Sequence, residues 1–249
     1  CHKADLESDI VADLARAEVQ DQRFDVAQGH ARRLRQILQR EGGADQRLRL
    51  VLLELDGEIA LGLAERAQQR GEPSTEGFAA ARGSFAQLLK DAALPDERET
   101  RWRALLGLAR ASERSDPRAA QDLYRQAEEH LERRSQDLPL GAGRGSFLGQ
   151  HERGTRYYLD FLWRRRELAE AMQVLRSARV RGLRALAGLG RAEALVGGQR
   201  DAWAAALASY QVKRQLVHSA SAALRDAPRK EQDERREALQ RATDDALRA

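Results

Sequence analysis

Residues 116–131 read DPRAAQDLYRQAEEHL. Asp116 is a helix-capping residue type, and Pro117 suits the first helical position, where a backbone N–H has no partner to lose. Ala120, Tyr124 and Ala127 then recur four and three residues apart, which puts them on one helical face. The small residues let a neighbouring helix approach closely, and the large one between them fills the groove to whatever packs next. The same spacing, with a small or apolar residue in third place, recurs at Ala27/Ala31/Leu34, Ala81/Phe85/Leu88 and Ala171/Leu175/Ala178. The first set is imperfect, because Ala31 is small where a bulky residue is wanted. Phe24, Phe78, Pro117 and Leu168 each stand three residues ahead of the leading alanine.

Composition agrees with helices throughout. Of 249 residues, 42% are hydrophobic and 33% charged, and Ala, Leu, Arg, Glu and Gln, all good helix formers, dominate. β-branched and aromatic residues are too sparse for alternating strands. The fold class is therefore all-α. Breakers predict helices over Leu6–Gln22, Val26–Arg40, Gln46–Arg70, Glu76–Leu89, Glu97–Ser112, from Pro117 onward, Arg153–Arg166, Leu168–Ala187, Asp201–Arg225 and Glu231–Arg248. The glycine-rich DLPLGAGRGSFLG (137–149) reads as an irregular loop. Short links make consecutive helices antiparallel hairpins.

The spacing in DPRAAQDLYRQAEEHL and in LAEAMQVLRSA (168–178) resembles the second helix of the tetratricopeptide repeat. The resemblance implies hairpins stacked as an α-solenoid that binds another protein. The departures are clear. The leading alanines are 54, 39 and 51 residues apart, against a repeat of about 34, and the Trp, Leu-Gly and Tyr of the first helix are mostly absent. The expected organisation is a tether over 1–8, degenerate repeats over 9–197, and a charged, Ala-rich helical hairpin over 198–249.

The net charge of +4 is unevenly spread. Residues 151–200 hold eleven arginines against five acids, a balance of +6, so the rest of the chain sums to −2. Catalysis finds no support. The histidines (2, 30, 130, 151 and 218) are scattered, HERGT at 151 lacks the second histidine of a zinc-protease helix, no G-x-S-x-G occurs, and the glycines of 141–149 follow no strand. The expectation is no enzyme, no cofactor and no metal. Trp102, Trp163 and Trp203 read as core anchors.

In RYYLDFLWRRRELAEAMQVLRSARVRGLRAL (156–186), Tyr158, Leu159, Leu162 and Trp163 form one predicted apolar stripe. Ala171, Leu175, Ala178, Leu183 and Leu186 are predicted to face inward on the next helix, with Arg176, Arg179, Arg181 and Arg184 flanking them. Arginine can bury its stem and keep its head in water or on a carboxylate. Either these arginines pair with acids of adjacent hairpins, or they recruit an acidic protein or peptide with Tyr157 or Tyr158 as further contacts. Nucleic-acid binding by the basic 151–200 region is the alternative, and a steep salt dependence would mark it.

LAEAMQVLRSARVRGLRALAGL (168–189) also resembles the last repeat before the peptidase in bacterial CHAT-domain proteins, caspase-like cysteine peptidases that follow tetratricopeptide arrays. The resemblance covers about residues 150–249 well. The family's catalytic His and Cys have no counterpart in these residues, so it implies a regulatory or recognition arm. The sole cysteine is Cys1, which excludes an internal disulfide. A start at Cys followed by polar HKADLESD resembles a mature bacterial lipoprotein, which implies a lipid on Cys1 and a periplasmic or outer-membrane location. The alternative is a cytoplasmic chain.

Overall fold

The computed structural model describes residues 2–40, 45–92, 98–137, 142–226 and 231–247, with no account of the side chains of 2–5, 136–137, 142–146, 185–194 and several positions of the last helix pair. Cys1, the proposed lipid site, lies outside the described residues, as does the side chain of Leu186. Ten helices make up the described chain: α1 His2–Gln20, α2 Phe24–Arg40, α3 Gln46–Gln69, α4 Thr75–Asp91, α5 Arg98–Ser112, α6 Pro117–Asp137, α7 Ala142–Arg164, α8 Leu168–Ala194, α9 Gly198–Asp226 and α10 Gln232–Leu247. No strand occurs among the described residues.

The helix starts follow capping chemistry. The Asp116 carboxylate accepts a hydrogen bond from the Ala119 N–H at 3.0 Å, with Pro117 opening α6 as its sequence predicts. Asp45 does the same for α3, accepting from the Leu48 N–H at 3.0 Å. Three turns close alike. A residue in the left-handed region follows α1 (Gln22, φ 60°), α3 (Gly71, φ 73°) and α7 (Arg166, φ 60°). The next N–H then returns to a carbonyl five residues back: Arg23 to Glu18, Glu72 to Ala67, Glu167 to Leu162. This is a Schellman closure, and it fixes where the chain reverses. Glycine meets the requirement freely at 71; glutamine and arginine meet it with some strain.

The chain divides into two compact units, one reaching Ala127 and the other running from Glu128. In the first, α1 packs on α2, α2 on α3, α3 on α4 and α4 on α5, and the alternate helices α1 with α3 and α3 with α5 also touch. Two cores share α3. Leu48, Leu52, Leu55 and Ile59 join Ala12, Ala15, Phe24, Ala27, Ala31, Leu34 and Ile37 on one side. Leu50 and Leu61 join Ala81, Phe85, Leu88, Ala104 and Ala111 on the other. A helix apolar around its axis is one buried from two sides. The alanine notches work as their spacing implies: Ala27, Ala31, Leu34, Ala81, Phe85, Leu88 and Ala120 are fully buried, and Tyr124 and Ala127 nearly so. The Phe85 ring lies so close to Gly57 of α3 and Gly107 of α5 that a Cβ at Gly107 would stand 2.3 Å from it. The Phe24 ring meets Gly62 in the same way.

In the second unit α7 pairs with α8 and α9 with α10. Among the described side chains, the α9–α10 core holds Val217, Leu224, Leu239 and Ala246, with Ala220 and Ala242 packed against it.

Several expectations need correction. Residues 2–8, expected as a tether, belong to α1, where Glu7 pairs with Arg33 at 2.6 Å and Ser8 is buried. α7 begins at Ala142, inside the stretch expected as a loop. Phe147 explains the extension: it is buried, with the Arg134 guanidinium 4.9 Å over its ring and the His151 ring 4.0 Å away, and this packing overrides the local glycines. α8 runs on to Ala194. Trp163 is 71% exposed and is no core anchor; Phe161 takes its place beside Tyr158 and Leu162. Trp102 is buried, and Trp203 is half-buried. Leu175 and Leu183 are 50% and 55% exposed, so they do not face inward.

Candidate partner-binding surface

The inward row of α8 is Ala171, Val174, Ala178 and Arg181, at helical spacings of three, four and three. Val174 stands where Leu175 was expected, because one residue is a rotation of about 100°. The last member of this row is a charge. The Arg181 side chain is only 4% exposed, with Nη2 2.7 Å from Glu128 Oε2 and Nη1 3.6 Å from Glu132 Oε2. Arg181 Nη2 also donates to Thr155 Oγ1 at 3.3 Å, while that hydroxyl donates to Glu128 Oε1 at 2.6 Å. Arg181 thus ties α8 to α6 and α7. Arg184, on the exposed side, donates to Glu132 at 3.0 Å. Tyr158 is buried, and its hydroxyl donates to Glu170. The half-buried Tyr157 has the Arg153 guanidinium 5.8 Å over its ring. Of the predicted contact residues, Arg181, Arg184 and Tyr158 therefore serve the hairpin's own packing.

The opposite side of α8 has no such cover. Leu168, Met172, Leu175, Val180 and Leu183 are all between 42% and 55% exposed. Arg176 and Arg179 lie among them, both exposed and without an ion-pair partner among the described residues. Leu168, Met172, Leu175, Arg179 and Leu183 fall within about 80° around the helix at 100° per residue, which makes one row with a cation in it. The spacing of these five was available in the sequence. Helical periodicity alone cannot choose between two apolar faces of one helix.

The charges of the first unit are arranged differently. Glu54 on α3 is buried and accepts from Arg103 of α5 at 2.5 Å and from Arg16 of α1 at 3.5 Å. Burial disfavours the charge on Arg103, but Glu54 and Glu99 outweigh it and hold its pKa above the ordinary value. Glu65 accepts both hydrogen bonds of Arg110, at 2.8 and 2.9 Å. Desolvation raises the Glu58 carboxyl above its ordinary 4.5, with Arg110 pulling the other way. A shallow cleft of about 190 Å³ between α1 and α3 is bounded by Asp9, Asp13, Arg16, Asp45 and Arg47. Its charges are engaged: Asp9 with Arg47, Asp13 with Arg16, and Asp45 as the cap of α3.

Among the described residues, no three His, Cys, Asp or Glu side chains are placed to hold a metal ion. No described helix is long and apolar enough to cross a membrane. Family models, curated proteins and solved structures offer no match to this chain.

Proposed function

We propose that the chain is a non-catalytic helical-repeat scaffold of the tetratricopeptide kind, and that it recognises another protein through the outer face of α8. One observation carries the reading: a row of exposed apolar side chains, with Arg176 and Arg179 among them and without an ion-pair partner among the described residues, on a helix that packs through Ala171, Val174 and Arg181. Water-exposed rows of this size are where helices dock in grooves. The occupant with matching chemistry is an amphipathic helix with acidic flanks. The alternation of helix packing in the first unit, the alanine notches and the three like turns support the repeat reading. The resemblance of residues 168–189 to the repeat ahead of CHAT peptidases gives it a specific form, a recognition arm whose occupancy governs such a peptidase.

The test is anisotropy with a synthetic amphipathic helix carrying a leucine row flanked by glutamates. Leu175→Asp is expected to weaken binding at least about tenfold, and exchanging the peptide's glutamates for lysines to abolish it. Binding unchanged by Leu175→Asp would overturn the reading. So would preferential binding of single-stranded RNA with a steep salt slope.

A further inference from the structure

We propose that the occupant of the α8 face is helix α1 of a second copy of this chain, so that copies join head to tail. The proposal rests on the reading of that face as a docking surface. It follows from how the first unit continues from hairpin to hairpin. There each second helix packs on the first helix of the next hairpin, α2 on α3 and α4 on α5. The bulky residue of the alanine spacing makes the joint: Phe85 of α4 reaches the glycine notch of α5 at Gly107. Leu175 holds the same place in α8 and stands 50% exposed. The next helix, α9, turns its Val217 and Leu224 toward α10. So, among the described residues, no first helix covers the joint that α8 presents at Leu175.

The complementary deficiency is at α1. It is a first helix, buried through Ala12 and Ala15. Leu6, Ile10 and Leu14, each four residues from the next, are 60%, 51% and 46% exposed. Charge matches as well. Helix α1 holds five acids against Lys3 and Arg16, a balance of −3; α8 holds five arginines against Glu170 and Glu193, a balance of +3. Asp13, with 79% of its side chain exposed and paired with Arg16 at 3.3 Å, borders the α1 row, and Arg179 lies within that of α8. Each copy offers one face of each kind, so the contact is heterologous and leaves both ends of an assembly open for more chains.

Sedimentation of the full chain tests this. The weight-average mass is expected to climb above the 27.9 kDa of one chain as concentration rises. Ile10→Asp and Leu175→Asp, both on exposed positions, should each hold the mass at one chain with the circular dichroism of helices intact. Mixing these two variants should restore a two-chain species, because the sound α1 of one meets the sound α8 of the other. Arg179→Glu should weaken assembly about tenfold, and Asp13→Arg in the same chain should recover it. A single-chain mass at every concentration, or no pairing between the mixed variants, overturns the proposal. A labelled peptide of residues 2–20 separates it from the broader reading. If that peptide fails to bind while the synthetic acid-flanked helix binds, α1 is not the occupant and the docking surface stands. If neither binds, both fall.

Discussion

Helices α4 and α8 both carry an alanine followed four residues on by a large apolar residue, and put that large residue to opposite ends. Phe85 of α4 is fully buried between Gly57 and Gly107; Leu175 of α8 is half in water. The spacing is a statement about a helix that can accept a neighbour on either side of the alanine. Whether the bulky residue is used depends on the next helix being there. The same contrast holds for charge. Around α3 the arginines and glutamates satisfy one another across α1, α3 and α5. On α8, Arg181 is enclosed, Arg184 is exposed but paired with Glu132, and Arg176 and Arg179 are exposed with no ion-pair partner among the described residues.

The largest effect expected from breaking this contrast is at its two central residues. Phe85→Ala should cost about 3–5 kcal/mol in urea unfolding, from lost burial and the cavity between two glycines. Leu175→Ala, at the matching place, should stay within about 0.5 kcal/mol. Equal costs would mean that α8 is covered as α4 is. Next comes Arg181→Ala, expected to destabilise by about 3 kcal/mol, because it strands the Glu128 carboxylate beside a buried Thr155. The double variant Arg181→Met, Glu128→Gln should recover most of that, since it removes both charges together.

The smallest effect concerns Glu58, which keeps 32% of its side chain exposed. Its folded pKa is raised chiefly by desolvation, so the native state binds this proton more tightly than the unfolded chain does. Stability is therefore lost as pH rises from 4.5 through the folded value. Glu58→Gln should raise the melting temperature slightly at neutral pH, with the gain fading as the pH is lowered toward 4.5. A gain that grows on acidification would reverse the assignment.

Much of the fold was legible because it depends on local rules. The Asp116–Pro117 start, the alanine notches of α2, α4 and α6, and most helix limits follow from capping and periodicity. What escaped was decided by partners distant in sequence. Phe147, seated against Arg134 and His151, draws helix through a glycine-rich stretch. Gln22 and Arg166 take a left-handed turn with no glycine to announce it. The glycines of the Leu-Gly pairs at 61–62 and 106–107 carry a signal of their own: they lie where the rings of Phe24 and Phe85 press against the backbone. At the candidate surface, the basic character of 176–184 was legible. Its division into enclosed and outward arginines was not, because Arg181 and Arg179 differ by two residues and by the presence of α6.

Helix α3 belongs to both cores of the first unit, with Leu48, Leu52, Leu55 and Ile59 given to one and Leu50 and Leu61 to the other. Peeling away the opening hairpin would strip half of that helix's apolar lining and so loosen the hairpin behind it. Damage to the opening hairpin thus travels inward by shared ownership of a single rod, which makes these helices melt as a block.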